Sequence, residues 1–211
     1  MYDSLTANKK KSVLFSSTIT KEKYDLDGKF ITVKSRIVTG GDGQNLEDIP
    51  ERLRSAPTTA TSSVSTIASI AAANNMEIAS VDIKQAYLNA DMESDVFMWI
   101  TQPVADVLCQ RDPMFLPFLH DNGRVLVKLL KAQYGCVESA KLWYNHISKA
   151  LQDNGLDINP FDPCVFQRKI DKGYTYITLY VDDFLIVSDD KTEVDSTVEY
   201  LRKTYHDITV K

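Results

Sequence analysis

Tyr176-Ile177-Thr178-Leu179-Tyr180-Val181-Asp182-Asp183-Phe184-Leu185-Ile186-Val187 sets two adjacent carboxylates inside an apolar run rich in β-branched and aromatic residues. Apolar stretches on both sides of a polar dipeptide predict two strands joined as a hairpin, with Asp182-Asp183 as its turn. Tight two-residue turns favour Asn-Gly or Asp-Gly because they need positive φ, which Asp-Asp supplies poorly. Taking an unpaired carboxylate out of water costs on the order of several kcal/mol, and two side by side also repel each other. A solvated acidic turn is the plain reading of this segment. A bound cation is the reading that offsets the cost.

A divalent ion needs a further oxygen ligand, and Ile78-Ala-Ser-Val81-Asp82-Ile83 is the second place where an acid ends an apolar run. The two segments can be neighbouring strands. Mg²⁺ is commonly held by one or two carboxylates plus waters and substrate phosphates, and a pair of such ions supports in-line phosphoryl displacement. Three Asp residues on two adjoining strands are the minimal set for nucleotidyl transfer. Spacing alone does not establish this, because Asp at strand ends usually serves turns or helix caps.

Six ordered segments carry a resemblance: Asp82-Ile-Lys-Gln-Ala-Tyr87-Leu-Asn89, Gln102-Pro103, Lys128-Leu-Leu-Lys131-Ala-Gln-Tyr134-Gly135, Trp143-Tyr144, Asp162-Pro163-Cys164-Val-Phe166 and Leu179-Tyr-Val-Asp182-Asp183. Together they resemble the reverse transcriptase of copia-type (Ty1/copia) retrotransposons, over about four-fifths of the chain from near Lys29 onward. The resemblance implies an RNA-directed DNA polymerase with Asp82, Asp182 and Asp183 as its catalytic carboxylates. It implies two Mg²⁺ ions, with Mn²⁺ as a substitute, held by Asp82 and Asp182, with Asp183 as supporting acid and the Ile83 carbonyl as a further ligand. Tyr87 matches the aromatic residue under the incoming sugar that excludes a 2′-hydroxyl; as a bare sequence feature it otherwise reads as a core tyrosine on a short helix. Tyr134 and Gly135 match the segment lining the nucleotide pocket. Lys34 and Arg36 lie on the strand that supplies cations to the triphosphate, and otherwise read as solvated strand charges. The implied partners are an RNA or DNA template with primer, a dNTP and the remainder of a retrotransposon polyprotein.

Two departures stand beside the match. After Gly135 the family runs Leu-Lys-Gln-Ala-Pro-Arg-like, whereas this chain reads Cys136-Val-Glu138-Ser-Ala-Lys141, and Asn89-Ala90 stands where Asn-Gly is usual. The chain ends at Tyr205-His-Asp-Ile-Thr-Val-Lys211, where the family continues into the primer grip, thumb and RNase H. The organisation expected is a partly polar N-terminal segment over residues 1–28, fingers and palm over 29–206, and the start of the primer-grip region at 207–211. The alternative function is an inactive, truncated transposon remnant that acts at most as an interaction module.

Composition bounds these readings. The 211 residues, 44% hydrophobic with 8 Gly and 7 Pro, read as globular. No stretch approaches the roughly 20 apolar residues of a membrane span. Met1-Tyr-Asp-Ser-Leu does not begin a secretory signal. Cys109, Cys136 and Cys164 are odd in number and widely spaced, which indicates neither a disulfide framework nor a zinc site and points to an intracellular, reducing compartment. His120, His146 and His206 lack metal-ligand spacing. The formal charge of −5 opposes a nucleic-acid partner. Against it, Arg124, Lys128, Lys131, Lys141 and Lys149 face the single acid Glu138 and form a candidate template track. Weak, strongly salt-dependent binding is the expectation.

Along the chain, Leu26-Asp27-Gly28-Lys29 predicts a hairpin turn before a strand from Phe30 to Val38, and Gly40-Gly41-Asp42-Gly43 a loop. Val64, Ile67, Ala71 and Ala72 recur at helical spacing, stopped near Asn74-Asn75. Ala140, Trp143, Tyr144, Ile147, Ala150 and Leu151 form a one-sided helix whose aromatic stripe reads as core. Segments 164–168 and 174–181 pair across Asp171-Lys-Gly173, and Val194, Val198, Leu201 and Tyr205 mark a last helix. Strands and helices without βαβ alternation read as α+β. That class suits the fingers and palm of a right-hand polymerase, with an antiparallel palm sheet backed by helices.

Overall fold

The computed structural model describes Tyr2 and residues 5–211. Met1, Asp3 and Ser4 lie outside the described residues, and with them part of the segment judged not to begin a secretory signal. Two units emerge, Met1–Arg54 with Asp91–Ser139, and Ser55–Ala90 with Ala140–Lys211. In chain order the elements are α1 (Ala7–Lys11), β1 (Leu14–Tyr24), β2 (Phe30–Thr39), α2 (Thr61–Asn74), β3 (Glu77–Ile83), β4 (Phe97–Ile100), α3 (Val104–Arg111), β5 (Val125–Lys128), α4 (Ser139–Asp153), β6 (Asp157–Ile158), β7 (Val165–Ile170), β8 (Gly173–Tyr180), β9 (Asp183–Ser188), α5 (Lys191–Tyr205) and β10 (Ile208–Val210). The result is a mixed α/β architecture of two sheets and several helices.

The first unit holds a four-stranded sheet in the order β2-β1-β4-β5. Its β1–β2 hairpin closes where the sequence predicts. The Asp25 carboxylate accepts hydrogen bonds from the backbone N–H groups of Asp27 and Lys29, and Gly28 takes φ +78 without a Cβ penalty. Only Leu14 and Phe15 of β1 pair with β4. From Ser17 onward β1 pairs with β2 alone, so the hairpin runs on as a two-stranded ribbon exposed over most of both faces. Val13, Trp99 and Leu126 are buried together at the ribbon's base.

In the second unit six antiparallel strands run β10-β3-β9-β8-β7-β6. Period-2 alternation sends Ala79, Val81, Ile83, Ile177, Leu179, Phe184 and Ile186 to one face, where they pack on Trp143, Ile147 and Leu151 of α4 and on Val194, Val198 and Leu201 of α5. These are the apolar stripes expected of the two helices. Helix α2 lies on the opposite face, with Ile67 and Ala71 against Val165 and Val187. It stops at Asn75, whose φ of +52 is the left-handed cap that Asn tolerates. The six-stranded sheet is thus covered by two helices on one side and by one helix at one end of the other.

One expectation is corrected. The hairpin loop consists of Val181 and Asp182, not Asp182 and Asp183, because Tyr180 pairs with Asp183 and Leu179 with Phe184. Shifting the register by two residues keeps every side chain on its own face, so the alternation of polar and apolar residues cannot choose between the two loops. Two bonds from other elements do. The indole N–H of Trp143 donates to the Val181 carbonyl at 2.6 Å, and the Ile83 N–H donates to the Asp182 carbonyl at 3.0 Å.

Candidate active site

Strand β3 delivers Asp82, and β9 delivers Asp183 directly opposite it. Since Ile83 and Asp182 form a hydrogen-bonded level of this ladder, Asp82 and Asp183 form a non-hydrogen-bonded pair. There Cα atoms come to about 4.5 Å and side chains stand closest. Both side chains project from the face opposite the α4 and α5 core, Asp82 half-buried and Asp183 exposed. Like charges placed directly opposite on a sheet are destabilising. A cation between them turns that repulsion into attraction.

Asp182, half-buried, occupies the second loop position. Val181 before it has φ +58, a conformation disfavoured by about 1–2 kcal/mol for an L-residue and worse for a β-branched one. Positive φ at the first loop residue alone is the pattern of a type II′ turn, where glycine is usual. The Trp143 indole, itself buried, holds the Val181 carbonyl in this strained position. A buried Trp needs an acceptor for its N–H, so the residue read as core packing also ties down the hairpin.

Tyr87 sits in a 3₁₀ turn (Ala86–Asn89) entered through Gln85 at φ +55. Burial raises the Tyr87 phenol above its usual range, and the Asp182 charge adds to the shift. Tyr87, Pro57, Trp143, Tyr144, Leu179 and Val181 line a cavity of about 220 Å³. The wall is pinned by Asp162, whose carboxylate accepts from the Ala60 N–H, the Thr59 hydroxyl and the Cys164 N–H. Burial pushes the Asp162 carboxyl up, but these hydrogen bonds and one from Ser63 outweigh it, and the net direction is down. Nearby, the Tyr144 hydroxyl donates to the Pro163 carbonyl at 2.9 Å. The Asp162-Pro163 motif is therefore a clamp between the chain before α2 and the turn before β7.

Lys34, Arg36, Tyr134 and Gly135 belong to the first unit. Lys34 and Arg36 are exposed on β2, and the Arg36 guanidinium lies 5.7 Å from the Tyr134 ring centroid. The Tyr134 carbonyl accepts from the Thr39 N–H at 2.8 Å. Gly135 takes φ +101, and a Cβ there would fall 1.9 Å from the Thr39 carbonyl oxygen. One on Gly41 would fall 1.8 Å from the Gly135 oxygen. Two backbones cross here at a distance only paired glycines permit. The atypical Glu138 is fully buried, and one of its oxygens accepts from the Gln44 side chain at 2.9 Å. Gln44 in turn accepts from the Val137 N–H at 2.7 Å.

The basic run from Arg124 to Lys149 is divided between the two units, and Lys128, Lys131 and Lys149 are ion-paired to Asp95, Asp91 and Asp153. Acids outside the run thus pair with three of its five cations. Among the described residues no group of three or more His, Cys, Asp or Glu is gathered closely enough to hold a metal ion by itself. No helix among the described residues is long and apolar enough to cross a membrane.

Comparison with known proteins agrees with the motifs. The chain is 30% identical over 82% of its length to the Retrovirus-related Pol polyprotein from transposon TNT 1-94 of Nicotiana tabacum, of which it covers 12%. It is 27% identical over 89% of its length to the corresponding polyprotein from transposon RE1 of Arabidopsis thaliana, again covering 12%. With the Transposon Ty1-LR3 Gag-Pol polyprotein of Saccharomyces cerevisiae it shares 29% identity over 82% of its length and 9% of that protein. The chain thus spans about a tenth of the length of these relatives. Residues 2–209 match the family described as Reverse transcriptase (RNA-dependent DNA polymerase), and the chain belongs to that family as a reverse transcriptase domain of copia type.

Proposed function

We propose that this domain catalyses RNA-directed DNA synthesis, transferring a nucleotide from a dNTP to a primer 3′-hydroxyl on an RNA or DNA template. The observation that carries the reading is the register that sets Asp82 opposite Asp183, with Asp182 in the adjoining strained loop. In this reading residues 29–206 form the fingers and palm, and the six-stranded antiparallel sheet is the palm.

Asp82 and Asp182, with Asp183 and the Ile83 carbonyl in support, would hold two Mg²⁺ or Mn²⁺ ions. Bound there, the ions would favour the deprotonated 3′-hydroxyl and neutralise charge developing at the α-phosphate. The protein's own part is positional. Trp143 and the Ile83 N–H fix the loop that presents Asp182. Tyr87 supplies a flat floor for the sugar, and its bulk excludes a 2′-hydroxyl. Lys34 and Arg36 supply positive charge to the triphosphate, Arg36 through a planar fork that fits two phosphate oxygens. Tyr134 and Gly135 line the nucleotide side.

Primer extension on an RNA template with dNTPs and Mg²⁺ or Mn²⁺ tests this, with Asp182→Asn purified in parallel. Extension by the native chain that is lost in the variant supports the proposal. No extension by folded protein under either ion supports the inactive remnant instead.

A further inference from the structure

We propose that one face of the β1–β2 ribbon is a binding surface for the phosphodiester backbone of a nucleic-acid strand, held by Lys21, Lys23, Lys34 and Arg36. The register pairs Ile19 with Arg36, Lys21 with Lys34 and Lys23 with Thr32. Directly opposed residues share a face, as do alternate residues along a strand. One face of the ribbon therefore carries four cations and no acid, while Glu22 lies on the other. All four cations belong to exposed residues, and none takes part in an ion pair among the described residues.

The Lys21/Lys34 pair is the telling detail. Two ammonium groups directly opposite each other destabilise an isolated ribbon, and a bound polyanion reverses that effect. The contrast with the chain as a whole is marked, because the whole chain has a formal charge of −5. From the Arg36 level to the Thr32 level is four residues, roughly 13 Å of strand. Each strand of a duplex carries about one charge per 3.4 Å of axis, so up to about four phosphates span that length. The strip is matched in extent to a polymer backbone and is longer than one triphosphate needs.

Alternation puts Phe15 on the basic face near the start of β1, and the Tyr134 ring lies 5.7 Å from the Arg36 guanidinium, so aromatic surface stands at the Arg36 end of the strip. Tyr24 and Phe30 pair across the strands with ring centroids 6.0 Å apart, on the face that carries Glu22. The contact made by the four cations is to phosphates and carries no sequence preference of its own. This deepens the nucleic-acid partner of the proposed function. It is tested by binding without catalysis, so a failed primer extension leaves it standing and failed binding overturns it separately.

The experiment is fluorescence anisotropy of the full chain with labelled single strands of about 20 nucleotides, RNA and DNA, titrated between about 50 and 200 mM salt. Lys21→Gln/Lys23→Gln removes the two cations with no role in the proposed chemistry. For single strands the slope of log affinity against log salt is expected to become shallower by about 1.4, so the variant loses about 7-fold less affinity than wild type across that range. Lys149→Gln/Lys203→Gln, which removes equal charge from α4 and α5, is expected to leave the slope unchanged. Three results overturn the proposal: no binding by the wild-type chain, an unaltered slope in the ribbon variant, or an equal change in the helix variant.

Discussion

Asp183→Asn removes one of the two charges that β3 and β9 hold face to face. The substitution is nearly isosteric and leaves the Tyr180 pairing and the buried Phe184 in place. Like charges in a solvent-facing cross-strand pair cost roughly 0.2–1 kcal/mol. That agrees with about 1 kcal/mol for unit charges about 4 Å apart in water. In chelator the variant is therefore expected to be more stable than wild type. A domain of this size shifts by about 2–4 °C per kcal/mol, so the gain in Tm is about 1–3 °C. At about 1 M salt the screening length falls to about 3 Å and the gain should shrink. Mg²⁺ reverses the order. An ion at about 100 times its Kd stabilises the wild type by about 2.7 kcal/mol, and the variant by less because a charged donor is gone. Thermal unfolding followed by circular dichroism, with EDTA or Mg²⁺, reads all three effects. A variant less stable in EDTA, or one that gains as much from Mg²⁺ as wild type, refutes the reasoning.

Four further outcomes are expected. Trp143→Phe strips the donor from the Val181 carbonyl and should cost about 1–3 kcal/mol; urea unfolding within about 0.5 kcal/mol of wild type would show that the bond is not made in solution. Gly135→Ala drives a Cβ into the Thr39 carbonyl at positive φ, so soluble, folded protein should be lost, and an unchanged circular dichroism spectrum and Tm would contradict the crossing. Asp162 has a depressed folded-state pKa, so its stabilisation is complete above its unfolded value of about 3.9 and fades as pH falls through the folded value. The stability gap between wild type and Asp162→Asn should therefore be wide at neutral pH and close in acid, and a gap independent of pH would exclude the clamp. Tyr87→Val should admit ribonucleotides in primer extension while Tyr87→Phe continues to exclude them, and equal discrimination by both would remove Tyr87 from the sugar pocket.

Much of this protein was legible in one dimension because its local signals are strong. Asp25 and Gly28 specify their turn through bonds within five residues. The stripes Trp143, Ile147, Leu151 and Val194, Val198, Leu201 have a period that only a helix buries on one side. The acids at 82, 182 and 183 stand out because each interrupts an apolar run. Other features left no such trace. Glu138 looked like a charge near a nucleotide pocket, yet it is buried against Gln44, 94 positions away. Lys128 and Lys131 looked free, yet each meets an acid more than thirty residues earlier in the chain.

By itself the sequence determined the main element types and the family, and singled out the three carboxylates as candidates, since hydrophobic period, turn chemistry and ordered motifs are properties of neighbouring residues. Tertiary structure alone decided which residues form the loop between β8 and β9, because a two-residue slip conserves the faces and only the Trp143 and Ile83 bonds distinguish the registers. It alone set Asp82 across from Asp183 rather than beside Asp182. It alone gathered Lys21, Lys23, Lys34 and Arg36 on one side of a ribbon, because strand pairing fixes the partner and the pleat fixes the face.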